Sequence, residues 1–322
     1  MPTPRIPTLT QKQVAAFLRP RPRDSHKGQF GTVVVIGGTS GMVGAPLLAA
    51  RAALKLGAGC VHVGLLADNA PSVDMLQPEL MLHSATDLLR PRTLPNPLNE
   101  TTSHSTRLQK TAAKSLVIPQ AGEGANVKTM FNPDVIAIGC GMGHDLAAQK
   151  ILYQTLKLNI ALVLDADALN ILALHPDLQA MVAARKAATV LTPHPGEAAR
   201  LLGTSTAEVQ AARPKAAQEL AKRLHCAVVL KGAHSLCVTR AGKIYVSKTG
   251  NPGMSSPGMG DVLTGMIAAF IAQGLNADDA LLLAVHLHGA AGDGLAQQGA
   301  TIGMTASELT DWARWLLNQW AK

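Results

Sequence analysis

The stretch Thr32-Val-Val-Val-Ile-Gly-Gly-Thr-Ser-Gly-Met-Val-Gly-Ala-Pro46, continued by LLAARAALKLGAGCVHVGLL to Leu66, decides the architecture. Thr32–Ile36 is a short β-branched run that ends in Gly37-Gly38, the pattern of a buried strand. Pro46–Leu56 is rich in Ala and Leu and is closed by Gly57, as a helix would be. Cys60–Leu66 reads as a second strand. Strand, helix and strand at this spacing form a βαβ unit, which implies parallel pairing and a right-handed crossover.

The same alternation continues along the chain. Strands are expected at Val135–Ile138, Ala161–Leu164, Thr189–Leu191 and Ala227–Leu230, with helices between them. Ser235–Thr239 and Lys243–Val246 read as a hairpin turning at Ala241-Gly242. Val262–Ala272, Ala277–Gln297 and Ala306–Trp320 read as helices. The expected fold is a three-layer α/β/α sandwich around a mostly parallel sheet. Residues 1–25 read as a solvated lead-in, because the prolines of Arg19-Pro-Arg-Pro-Arg23 forbid a helix. Residues 26–322 read as one domain. It is interrupted at about 86–130 by a polar, proline-containing stretch without period, expected to be a surface insertion.

With 47% hydrophobic residues the chain can fill a core, so global disorder is excluded. Only 3% are aromatic, so Ala, Leu, Val and Ile must build it. The formal charge of +8 is spread along the chain, and few aromatics are available to stack on bases. Neither nucleic acid nor a membrane is expected as a partner; phosphorylated small molecules suit such a bias, and a basic surface with no charge-driven partner suits it equally. Cys60, Cys140, Cys226 and Cys237 form no CxxC pair and fit free thiols in a reducing cytoplasm. No signal peptide and no bilayer-length apolar run is read.

Five motifs carry candidate chemistry. Gly250-Asn-Pro-Gly-Met-Ser-Ser-Pro-Gly-Met-Gly-Asp261 runs directly into an apolar helix. Its glycines let backbone N–H groups turn inward around an anion, and a helix N-terminus adds unpaired donors. Asp261 at that start is placed to take a proton from a hydroxyl that then attacks phosphorus; the plainer role is helix capping. Thr192-Pro-His-Pro-Gly-Glu197 follows a strand, where ligands of open α/β sheets bind; His194 is a ligand contact there or a turn residue. Val229-Leu-Lys-Gly-Ala-His-Ser235 puts Lys231 at a strand end, to hold a nucleotide phosphate or ribose or simply to end the strand. Leu164-Asp-Ala-Asp-Ala-Leu-Asn170 sets two acids at another strand end, to orient water, metal or substrate, or to cap a helix. Gly37–Gly44 and Gly139-Cys-Gly-Met-Gly143 supply two more glycine loops.

The GxxGxxG within Gly37–Gly44 also suits a dinucleotide-binding reductase, and Tyr153-Gln-Thr-Leu-Lys157 spells its YxxxK. No serine lies between Ser115 and Ser205 to complete that set, so the YxxxK reads as a helix-face coincidence.

Together with His26–Gly31, Gly57-Ala-Gly59 and Pro78-Glu79, these motifs resemble the ADP- or ATP-dependent NAD(P)H-hydrate dehydratases, a branch of the ribokinase-like fold, over roughly residues 24 to 300. The resemblance implies that Asp261 is the catalytic base. It implies that Ala45, Gly141 or Gly143 and His194, with Asp261, contact the hydrated nicotinamide nucleotide, NADHX or NADPHX. Lys231, Gly232, Ala233, His234, Ser235 and Gly260 would hold the adenine nucleotide. Mg2+ would screen the phosphates, Glu197 standing where related kinases help position it. A cytoplasmic homo-oligomer is implied, working with a separate NAD(P)HX epimerase, since about 25 leading residues cannot form an epimerase domain. Pro257 stands where the family usually has glycine, which removes one N–H from the loop. An alcohol kinase of the same fold and a nucleotide-binding protein without turnover are the rival readings.

Overall fold

The computed structural model describes residues 6–89 and 131–322. In chain order it contains α1 (Gln11–Ala15), β1 (Thr32–Gly37), α2 (Gly44–Lys55), β2 (Cys60–Leu65), β3 (Met81–Ser84), α3 (Ala85–Leu88), β4 (Val135–Ile138), α4 (Leu146–Leu156) and β5 (Ala161–Leu164). Then come α5 (Ala166–Leu174), α6 (Pro176–Ala184), β6 (Thr189–Leu191), α7 (Pro195–Leu202), α8 (Thr206–Ala211), α9 (Arg213–Leu224) and β7 (Ala227–Leu230). The chain closes with β8 (Leu236–Val238), β9 (Ile244–Val246), α10 (Met259–Ala272), α11 (Ala277–Gln297) and α12 (Ala306–Trp320).

One sheet carries all nine strands in the order β3-β2-β1-β4-β5-β6-β7-β8-β9. Pairing is parallel from β3 to β7, and β8 and β9 are antiparallel additions. Side chains alternate across the sheet, as the pleat requires. One face is small: Val33, Val35, Val135, Ala137, Val163 and Val229 pack against α2, α10 and α11. The other face is larger: Ile36, Ile136, Ile138, Leu162, Leu164 and Leu230 pack against α4, α5, α7 and α9. The short side chains bring α10 close to the sheet. Helix α10 also crosses α2 closely: a Cβ on Gly265 would stand 2.0 Å from the Ala49 carbonyl oxygen. Eleven of its fourteen residues are buried, so it is a core helix rather than an amphipathic one.

Apart from shifts of one or two residues at β1, α2 and β2, four features differ from the sequence reading. Residues 81–88 form β3 and α3, with Ala85 and Leu88 buried, so the polar insertion cannot begin at 86; the rest of that stretch, 90–130, lies outside the described residues. The lead-in is not simply solvated. Thr8 bridges to Val246, and Leu9 and Val14 enter the core. The hairpin strands are shorter, Leu236–Val238 and Ile244–Val246. Helix α10 begins at Met259, three residues earlier than expected, because Gly258 takes φ 88° as its N-cap. Among the described residues no helix is long and apolar enough to cross a membrane.

Candidate active site

The chain leaves β1 toward β2 and β3 on one side, then returns to β4 on the other. The strand order therefore reverses between β1 and β4, which is where an open α/β sheet opens a crevice at its carboxyl edge. The two glycine loops meet there. Gly38 N donates to Cys140 O at 3.0 Å, and Thr39 N donates to Gly141 O at 2.7 Å. A side chain on Gly37 would stand 2.1 Å from the Cys140 carbonyl oxygen, so only glycine permits this contact. Ala45, in the first turn of α2, lies beside Gly141, 3.3 Å from where a Cβ would project. Gly143 N donates to Asp167 Oδ2 at 2.9 Å. Ala45, Gly141 and Gly143 thus converge on one wall.

The loop before α10 forms the next wall. Gly250 N and Asn251 Nδ2 both donate to Asp293 of α11, at 2.9 and 3.2 Å. The loop lies so close to α11 that a Cβ on Gly289 would stand 2.3 Å from Thr249 Oγ1. Beyond Gly258 the first turn of α10 offers the N–H groups of Met259, Gly260 and Asp261, which have no partner within the helix. His288 of α11 steadies that turn: its Nε2–H donates to the Met259 carbonyl at 2.9 Å. Burial lowers the His288 pKa to about 4, so the ring stays neutral and keeps this bond.

Asp261 is the third residue of α10, not its N-cap. Burial raises its carboxyl to about 6; a hydrogen bond from the Cys140 thiol and the charge of Lys231 oppose the rise, and Asp165 and Asp167 add to it. A carboxylate so tuned suits a base near neutral pH. Beneath it, Asp165 accepts from Lys231 Nζ and from Thr264 Oγ1, both at 2.8 Å. The neighbouring Ala166 takes φ 46°, a left-handed backbone that L-residues rarely adopt. Gly139 has no room for a side chain, since a Cβ would stand 1.8 Å from Asp165 O.

The Lys231–Ser235 segment turns outward from β7. Gly232 takes φ 137° and His234 φ 55°. Ser235 Oγ donates to Gly232 O at 3.1 Å. Arg213, at the start of α9, donates to the carbonyls of Leu230, Lys231 and Ala233 and straps the segment to the sheet. The lysine itself points back under α10, where its Nζ would be 3.2 Å from a Cβ on Gly260. Lys231 and Gly260 therefore meet, while the exposed Ala233 and His234 form the outer part of the segment.

His194 caps α7. Its Nδ1 accepts from Gly196 N at 3.0 Å, so the other ring nitrogen carries the proton, facing Glu197 Oε1 at 3.3 Å. Burial and the nearby charges of Lys231 and Arg200 hold its pKa below the ordinary value. Glu197 in turn accepts from His194 N at 2.7 Å, and burial raises its carboxyl. Asp167 is clamped by Gly143 N and by His144 Nε2, the latter at 2.9 Å.

The donor set does not form a resident magnesium cage. Cys140, Asp165 and Asp261 gather within 4.8 Å of one another, but both Asp165 oxygens are already engaged. Burial keeps the Cys140 thiol protonated, and magnesium takes oxygen ligands.

Sequence reading did not find Thr264, His288, Asp293 or Arg213. Each acts through a partner distant in the chain, and none sits in a local motif. The YxxxK pair lies on α4 with Lys157 stacked over the Tyr153 ring at 4.2 Å, as a helix-face contact. A cavity of about 640 Å³ opens at the other, amino-terminal edge of the sheet, between Arg19–Pro22, Phe30, Gly57, Phe270 and Leu317. It shares no residue with the crevice.

The family model described as NAD(P)H-hydrate dehydratase matches residues 33–314. An ADP-dependent (S)-NAD(P)H-hydrate dehydratase from Neisseria meningitidis is 37% identical over 306 residues, covering 94% of this chain and 90% of that protein. The chain spans about half the length of several other curated relatives; for a bifunctional NAD(P)H-hydrate repair enzyme from Coxiella burnetii, 37% identical, the share is 55%. Among solved structures, the ADP/ATP-dependent NAD(P)H-hydrate dehydratase of Bacillus subtilis, co-crystallised with ATP and Mg2+, superposes with a TM-score of 0.77 at 26% identity, covering 99% of this chain and all of that one. A ribokinase-like protein from Enterococcus faecalis gives a TM-score of 0.76 at 26% identity over 98% of this chain and 96% of its own. The fold is ribokinase-like, and the chain belongs to the NAD(P)H-hydrate dehydratase family.

Proposed function

We propose that this chain returns hydrated NADH or NADPH to the reduced cofactor, using ADP or ATP as phosphate donor. The observation that carries the reading is the placement of the partly buried Asp261 carboxyl in the first turn of α10, beside N–H groups that have no partner within the helix.

In this reading the hydrated nicotinamide ring lies against Ala45, Gly141, Gly143 and His194. Asp261 takes the proton of the C6 hydroxyl. The hydroxyl oxygen attacks the terminal phosphorus of the nucleotide, and the bond to the bridging oxygen breaks, leaving AMP when ADP is the donor. The N–H groups of Met259 and Gly260 stabilise the charge on the transferring group. The phosphate ester then leaves C6 with its bonding electrons as inorganic phosphate. Loss of a ring proton restores the double bond. Lys231 and the Gly232–Ser235 turn hold the nucleotide. Magnesium accompanies the nucleotide as the counterion of its phosphates. The accepted epimer is S, and an NAD(P)HX epimerase supplies it. A cytoplasmic homo-oligomer completes the reading.

The test is incubation of the purified protein with ADP, magnesium and NADHX. Regained NADH absorbance with equal amounts of AMP and phosphate supports the reading. Accumulation of a stable phosphorylated product would make the chain an alcohol kinase, and binding without turnover a nucleotide-binding protein.

A further inference from the structure

Cys140 is fully buried at the carboxyl edge of β4, between Gly139 and Gly141, both in left-handed backbone conformations. Its Sγ and a carboxylate oxygen from each of Asp165 and Asp261 lie within 4.8 Å of one another. Those carboxylates differ. Both Asp165 oxygens are engaged by Lys231 and Thr264, which leaves the Asp261 carboxylate as the other acceptor grouped with the thiol. Burial and the two neighbouring acids raise the thiol pKa, so it is a donor and not a nucleophile.

We propose that Cys140 is a positioning residue: its S–H donates to the Asp261 carboxylate and fixes which oxygen faces the substrate hydroxyl. The inference rests on the role given to Asp261 above. A carboxylate held from one side presents its other oxygen along a fixed line, which is what proton transfer coupled to in-line attack requires. Backbone hydrogen bonds to Gly38 and Thr39 lock the loop that carries the thiol. The charged and titratable groups that face Asp261 are Asp165 and Asp167 from the β5 edge, Lys231 from the β7 edge and Cys140 from the β4 edge, with the neutral His288 of α11 against the same turn.

Two variants separate positioning from packing. Cys140→Ala removes the donor, and Cys140→Ser replaces it with a stronger one in nearly the same volume. The acid limb of the kcat profile should move to higher pH in Cys140→Ala and to lower pH in Cys140→Ser. Turnover should fall about tenfold in Cys140→Ala and recover at least partly in Cys140→Ser, with little change in KM for ADP. Limbs that coincide with the wild type, or that move together in both variants, would overturn the proposal. A second readout needs no turnover. The S–H stretch of Cys140, isolated by difference against Cys140→Ser, should shift to higher frequency in Asp261→Asn, because the amide is a weaker acceptor than the carboxylate. An unchanged band would overturn the proposal even if the wild type proved to have a different activity. An inactive wild type with a shifted band would overturn the functional reading and leave the hydrogen bond standing.

Discussion

Lys231 Nζ and Asp165 Oδ1 stand 2.8 Å apart beneath the first turn of α10, joining the carboxyl edges of β7 and β5. Thr264 takes the other Asp165 oxygen, so the pair also fixes α10 to the sheet. The ammonium lies beside Gly260 and moderates the charge around Asp261. A structural role and the proposed nucleotide-binding role therefore meet in one side chain.

Lys231→Met should separate those roles. It leaves a buried carboxylate without its cation, which costs about 3–5 kcal/mol. Combining it with Asp165→Asn removes that charge and should recover most of the loss. The KM for ADP should stay raised in both the single and the double variant, since neither has the ammonium. Thermal melts alongside steady-state kinetics check this. Recovery of nucleotide affinity in the double variant would mean that Lys231 serves only the fold.

Asp261→Asn should keep ADP binding, measured by calorimetry, and lose 10²–10⁴-fold in turnover, the usual cost of removing a general base. In the wild type, turnover should rise with pH through about 6 as the carboxyl loses its proton.

The same shift has an opposite consequence for stability. The ordinary carboxyl value is 3.8, so the folded protein holds this proton more tightly than the unfolded chain. Between about pH 4 and 6 the unfolded chain binds fewer protons, and stability falls as pH rises, by up to about 3 kcal/mol. Asp261→Asn cannot ionise. It should melt above the wild type at about pH 8 and close to it at about pH 4. A variant that melts below the wild type at the higher pH would mean that the carboxylate is not under strain.

Asp293→Ala tests the loop anchor. Gly250 N and Asn251 Nδ2 would lose their acceptor, loosening the wall that leads to Gly258. The KM for ADP should rise about tenfold, roughly 1.4 kcal/mol, with the acid limb of the pH profile unmoved. A shifted limb with unchanged KM would show that the anchor acts on Asp261 instead.

Much of this arrangement is legible in the sequence because it is local. The strands β4 to β7 are short apolar runs, β4 ending at Gly139 and β5 at Asp165, and α11 and α12 carry Asn276 and Thr305 as N-caps. The β1–β4 crevice follows from two glycine loops at strand ends. What stayed hidden is tertiary. Met81–Ser84 is half exposed and lacks alternation, and only pairing with β2 makes it a strand. Val14 looks like any apolar residue in a polar lead-in until α11 covers it. Asp165 and Asp167 look alike in DADALN, yet one is buried against Lys231 and the other clamps Gly143. Asp293 sits near the C-terminal end of α11 with no motif around it. Its meaning comes from Gly250, forty-three residues away.

The most direct test of the account follows one oxygen atom. NADHX prepared in 18O-water carries the label in its C6 hydroxyl. If Asp261 activates that hydroxyl for attack on ADP, the labelled oxygen becomes part of the ester and departs from C6 with phosphorus. Mass spectrometry should then find one 18O in each released phosphate and none in AMP. Unlabelled phosphate, with the label in water, would mean that the hydroxyl leaves without being phosphorylated and would contradict the account.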